Sequence, residues 1–240
     1  MTGACQPGPF AGADVIADLV AEHRALSVIL EHLDEADWNW PSAAPGWLIR
    51  DQIAHLADTE EVAADTIAGG PRTFARAVAP YATAEDFTWA GCLRGRDLST
   101  RQLTDRWHRS AQTTATLLAD MDPHARIAWG FGMPARTFAV ARLMEHWAHG
   151  VDITDAIGGV PQPTERIWRV AELGLITLRY ALARARVPWP HGRTLRLELT
   201  WPGGFPRSLG APDATDVVRG PLLQWCRTAV RRVREPDAAR

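Results

Sequence analysis

Residues 135–157 place the strongest constraint on what this chain can fold into. They form a run of helix formers about six turns long, stopped by Gly158-Gly159 with Pro161 just beyond. Three other stretches show helical periodicity. Over 11–36, Val15, Ile16, Leu19, Val20, Leu26, Ile29, Leu30 and Leu33 make an apolar stripe, with His23 on its apolar side. A polar, proline-containing loop over 37–46 leads to a second helix at 47–68, closed by Gly69-Gly70-Pro71. Residues 72–96 are mixed, and Pro80, Gly91 and Gly95 point to a short helix and a long connection. A third helix covers 99–120, with Ser99 as N-cap and Leu103, Trp107, Leu117 and Leu118 for packing. After a loop at 130–134, the fourth helix takes the chain to 157. Four long amphipathic helices predict a four-helix bundle, an architecture that places metal sites in its core between facing helices.

Beyond Gly159 the pattern changes. A helix is expected over 164–186, with Thr164 as N-cap and Ile167, Val170, Ala171, Leu175, Leu178 and Leu182 as its stripe. Residues 194–200 alternate with period two and read as a half-buried strand. A turn at 201–204, a return strand over 205–209 and a closing helix over 217–233 complete a small α+β domain. The expected organisation is a mainly α protein: a bundle over 11–159 and an α+β domain over 160–240.

The chemistry concentrates on the fourth helix. Glu145 and His149 are four residues apart and share a face, with Asp152 three residues further on. A carboxylate and an imidazole so spaced can reach one divalent metal, but a third ligand must come from elsewhere. His55, on the second helix, is the best candidate. The competing reading is a solvated Glu145–His149 pair and a hydrogen-bonded core His55. The apolar neighbours Ile53, Ala54, Leu56, Met144, Trp147 and Ala148 favour the interior, where an ionised group needs a partner. Asp152 is either a helix-surface acid or a group orienting His149, and Asp51, one turn before His55, can brace it. Arg142 either binds an anionic substrate or pairs with an acid. His23 is read as a core histidine or as a group aimed toward the metal.

Composition excludes several other classes. The net charge of -2 provides no field to attract nucleic acid or an anionic membrane. No apolar run approaches the roughly 18 residues of a membrane span, and the first ten residues do not read as a signal peptide. Three dispersed cysteines make neither a disulfide framework nor a metal knuckle, which fits a reducing cytoplasm. No nucleophile elbow, P-loop or dinucleotide fingerprint is present.

The segments GWLIRDQIAHLADTE (46–60) and ARLMEHWAHGVDITDAIG (141–158) resemble the actinobacterial metal-binding branch of the DinB/YfiT-like superfamily. That branch includes mycothiol-dependent maleylpyruvate isomerases and thiol S-transferases. The likeness continues through PTERIWRVAELG (163–174) and VVRGPLLQWC (217–226). It implies a DinB-like four-helix bundle with a sterol-carrier-like α+β appendage, here shortened. It also implies His55, Glu145 and His149 as the ligands of one divalent metal. Zinc is the first expectation, and these donor types also admit Ni, Fe, Mn or Co. Mycothiol or a similar thiol would be the co-substrate. His146 departs from the pattern, which has a small polar residue there; it either lines the pocket or packs beside it.

The expectation is therefore a metal-dependent enzyme that activates a low-molecular-weight thiol for S-transfer or isomerisation of a small electrophilic metabolite. The alternatives are a metal Lewis-acid hydrolase, isomerase or cyclase without thiol, and a non-catalytic metal or small-molecule binding protein. The sequence leaves the oligomeric state open.

Overall fold

The structure, a computed structural model, describes residues 14–201, 204 and 206–233. Helix α1 (Val15–Glu31) is capped by Asp14, whose carboxylate accepts the Ala17 N–H at 2.9 Å. After a short 3-10 turn at Asp37–Asn39, α2 (Ile49–Gly69) begins where the Asp51 carboxylate accepts the Leu48 N–H at 2.9 Å. The segment 72–96 holds two helices, α3 (Thr73–Val78) and α4 (Ala84–Gly95). Helix α5 (Thr100–Ala119) opens with the Ser99 cap and its reciprocal Gln102 contact. Two short strands, β1 (Arg126–Ile127) and β2 (Met133–Pro134), pair antiparallel across the 130–132 turn. Helix α6 (Ala135–Ala156) follows directly, and Gly158 leaves it at φ 70°, the left-handed conformation glycine adopts without strain.

Helices α1, α2, α5 and α6 form the four-helix bundle. Helix α2 packs against α5 and α6, and so does α1, so each helix has two close neighbours. Leu26, Ile49, Ile53, Leu56, Leu103, Trp107 and Ile153 meet in the core.

Helix α4 replaces the expected connection because Gly91 and Gly95 are packing residues on the face toward α2. A Cβ at Gly91 would lie 2.8 Å from an Asp58 oxygen. One at Gly95 would overlap the Ala54 methyl and come within 3.2 Å of Leu103. Missing side chains let α4 lie close on α2, a tertiary reason invisible to a search for helix breakers.

The chain divides into two compact units, and the second takes in the described residues from Gln162 onward. It contains α7 (Ile167–Arg184), β3 (Leu195–Thr200), β4 (Arg207–Leu209), β5 (Asp216–Pro221) and α8 (Leu222–Ala229). The sheet order is β4-β3-β5, antiparallel between β3 and β4 and parallel between β3 and β5. Two expectations are corrected. Thr164 does not cap α7, which starts three residues later with Arg166 at the N-cap. Residues 217–221 are strand and not helix: β-branched Val217 and Val218 extend along β3, and α8 starts only after Pro221. The expected helix start at 11–13, the turn at 202–203, Phe205 and the tail from Arg234 lie outside the described residues. No helix among the described residues is long and apolar enough to cross a membrane.

Gly95→Ala should push α4 off α2 and destabilise the protein by about 1–3 kcal/mol. Denaturant unfolding measures this; a midpoint equal to that of the parent protein would show that the close packing is dispensable.

Candidate metal centre

Helices α2 and α6 run antiparallel past one another, and their contacting faces are polar. Arg142 on α6 donates from Nε to Glu60 Oε1 on α2 at 2.7 Å and from Nη2 to Thr59 Oγ1 at 3.0 Å. From that contact the chain runs back along α2 to His55 and forward along α6 to Glu145 and His149. The three expected ligand residues therefore meet. Glu145 Oε2 lies 3.4 Å from His149 Nε2 and 3.9 Å from His55 Nε2. One donor atom from each lies within 4.8 Å of the other two. Both histidines are buried, while Glu145 keeps 33% of its side-chain surface open. Trp47, at the end of the loop before α2, walls the cluster. Its ring stacks on His149 at 5.9 Å, nearly parallel at 8°, and stands edge-on to His55 at 5.3 Å.

The imidazoles differ in what holds them. His149 Nδ1 is hydrogen-bonded to Gln52 Oε1, and Gln52 Nε2 donates to Ser42 Oγ at 2.7 Å. An amide oxygen only accepts, so Nδ1 carries a proton, and the ring turns Nε2 toward Glu145. His55 Nδ1 is buried and has no hydrogen-bond partner. Burial lowers the His55 pKa, although Glu145 opposes the shift. For Glu145, burial pushes the carboxyl up, but His149 and His55 outweigh it and hold the group well below the usual carboxylate range. One nitrogen from each imidazole and the Glu145 carboxylate would form a donor set that fits a divalent ion of the Zn, Ni, Fe, Mn or Co kind. Three protein ligands leave coordination positions open to other molecules.

Other candidates resolve differently. Asp152 is buried and so is not a helix-surface acid, and its Oδ2 lies 3.8 Å from His149 Nδ1, beyond hydrogen-bond reach; Gln52 takes the orienting position instead. Gln52 was legible in principle, since it sits three residues before His55 on the same helical face. Asp51 does not brace His55; it caps α2 and pairs with Arg96 at 2.9 Å. Arg142 is engaged with Glu60, deep in the bundle, and is not displayed to a substrate.

His23, Glu60 and His146 form a second group of metal-compatible side chains, but its chemistry does not fit a metal. Trp107 Nε1 donates to His146 Nε2 at 3.0 Å, and His146 Nδ1 donates to the Arg142 carbonyl at 2.8 Å. Both nitrogens are committed, and Arg142 already neutralises Glu60. His146 therefore packs beside the centre without joining it. The His23 ring lies 4.3 Å from that of His146. Burial, reinforced for His23 by His146 and for His146 by the Arg142 charge, lowers both pKa values to about 3. A groove of about 630 Å³ is lined by His23, Ser27, His108 and Ala115 among others, and includes none of His55, Glu145 and His149.

Residues 19–154 match the family model for the mycothiol maleylpyruvate isomerase N-terminal domain. The chain belongs to that family. Its matched region contains α2, α5 and all three candidate ligands. The chain is also similar to two uncharacterised proteins of Mycobacterium tuberculosis. Each is 33% identical over 222 residues, covering 92% of this chain and 84% of the relative. The fold is also that of the crystal structures of the mycothiol-dependent maleylpyruvate isomerase and one of its histidine-to-alanine variants. Both superpose with a TM-score of 0.61, at 19% and 18% identity, covering 91% of this chain and 88% of theirs.

Two outcomes are expected of this family member. Arg142→Ala leaves Glu60 buried and uncompensated, so it should cost about 3–5 kcal/mol of stability; a loss under about 1 kcal/mol in urea unfolding would contradict a buried pair. His23 titrates lower in the folded than in the unfolded state, so its contribution is full above pH about 6.5 and is lost as pH falls toward 3. Unfolding measured in chelator should show stability declining from pH 7 to 5, with a shallower decline in His23→Leu. Equal slopes would mean that His23 is not buried neutral.

Proposed function

We propose that this protein is a divalent-metal-dependent enzyme that uses a low-molecular-weight thiol of the mycothiol class. The reaction would be isomerisation or S-transfer on a small electrophilic metabolite. The observation that carries the reading is the convergence of His55, Glu145 and His149 between α2 and α6, with Glu145 partly open. Membership of the mycothiol maleylpyruvate isomerase N-terminal domain family supports the thiol. A bound divalent ion would supply a position for sulfur and lower its pKa, so that thiolate exists near neutral pH.

The chain's own residues prepare that position. His55 and His149 would hold the ion through neutral nitrogens, and Glu145 through a single negative charge. Trp47 covers the imidazoles and keeps water from their flanks. The described cysteines cannot supply the nucleophile. Cys92 and Cys226 are buried, and burial raises both thiols to about 12. Among the described residues, then, no thiol is placed to act, and in the thiol reading the sulfur nucleophile is the second substrate. The free thiols are also consistent with a reducing cytoplasm.

The purified protein should contain about one divalent ion per chain, and His55→Ala and His149→Ala should each lose it in elemental analysis. Equal metal content in the parent protein and both variants would overturn the ligand set. Turnover of an electrophile such as maleylpyruvate should require added mycothiol. Metal-dependent turnover without any thiol would instead support a Lewis-acid hydrolase, isomerase or cyclase.

A further inference from the structure

We infer that Gln52 is the positioning residue of the candidate centre. It fixes the tautomer and ring orientation of His149, so that Nε2 presents its lone pair toward Glu145 and His55. The role rests on the metal-ligand reading, but the tautomer itself does not require a metal.

Gln52 is fully buried, an unusual place for a primary amide. Both ends of the amide are used. Its oxygen accepts from His149 Nδ1, and its nitrogen donates to Ser42 Oγ at 2.7 Å. Ser42 is itself held, because its N–H donates to the Trp47 carbonyl at 2.7 Å. The next residue, Ala43, donates its N–H to the Asp152 carbonyl on α6 at 3.3 Å. The 42–47 loop thus ties the Ser42 anchor to the helix that carries His149. From the same loop, Trp47 stacks on the His149 ring and limits its tilt. The amide sets the proton position and the indole sets the ring plane.

The choice of an amide has a chemical consequence. A carboxylate at this position would add a second negative charge and could draw the imidazole proton toward itself. The glutamine oxygen accepts the hydrogen bond but cannot take the proton. The nearest carboxylate on that side, Asp152, stands off at 3.8 Å. Glu145 then remains the single anionic donor among the three, which leaves a bound dication with net positive charge and favours an anionic guest such as a thiolate.

The test uses the full chain with nitrogen-resolved NMR of the imidazoles in chelator, and Zn(II) affinity by competition titration. The parent protein should show His149 with its proton on Nδ1. Gln52→Leu should release that tautomer and weaken Zn(II) binding by about 10–100-fold. Gln52→Glu retains an acceptor oxygen facing Nδ1 and should recover most of the affinity, with the shared proton displaced toward the carboxylate. Ser42→Ala should give an intermediate loss, because it frees the amide without removing it. Gln52→Leu that keeps both the tautomer and Zn(II) affinity within about twofold would overturn the assignment, as would a tautomer change with no change in affinity. A tautomer that follows Gln52 in a protein that binds no Zn(II) would uphold the orientation and remove the metal reading alone.

Discussion

Glu60 and Arg142 form a buried ion pair, 2.7 Å between Oε1 and Nε, that sets the register of α2 against α6. Neither group can leave the other without stranding a charge in the core. The candidate centre depends on that register. His55 lies five residues back along α2, roughly 7.5 Å, and His149 seven residues forward along α6, roughly 10.5 Å, at 1.5 Å per residue. Because the helices are antiparallel, both displacements lead the same way. A slip of α6 by one residue would turn His149 by roughly 100° and separate the ligands.

The same constraint accounts for the crowding around α2. Between positions 51 and 60, Asp51, Gln52, His55, Asp58, Thr59 and Glu60 are all buried. Such a helix face is unfavourable unless its polar groups find partners. Asp51 takes Arg96, Asp58 takes Arg94 and Arg106, and Thr59 and Glu60 take Arg142. Helix α4, brought close by Gly91 and Gly95, supplies Arg94, and its C-cap residue is Arg96. It therefore helps to hold the helix that carries His55, in addition to connecting α3 with α5.

Helix α6 presents two histidines with opposite fates. His146 has both nitrogens committed, one to Trp107 and one to the Arg142 carbonyl, and is chemically closed. His149 has one nitrogen committed, to Gln52, and the other faces Glu145. Three residues along a helix separate a structural imidazole from one whose Nε2 faces Glu145. The difference lies in partners contributed by α5 and α2.

Local sequence carried much of this protein. The four bundle helices, the Ser99 cap, the Gly158 stop and the i, i+4 pairing of Glu145 with His149 follow from periodicity and capping chemistry, which act within one or two turns. His55 on the second helix is already the best candidate for a third ligand, and the resemblance of 46–60 and 141–158 to a known family implies it as one. Tertiary structure alone decided the rest, because it depends on contacts between segments far apart in the chain. Gly91 and Gly95 look like breakers until Ala54 and Asp58 lie beneath them. Val217 and Val218 join a plausible helix until β3 offers a ladder. The orienting partner of His149 could have been Asp152 on its own helix. It is Gln52 because α2 lies alongside α6, a juxtaposition fixed by the buried Glu60–Arg142 pair 82 residues apart in sequence.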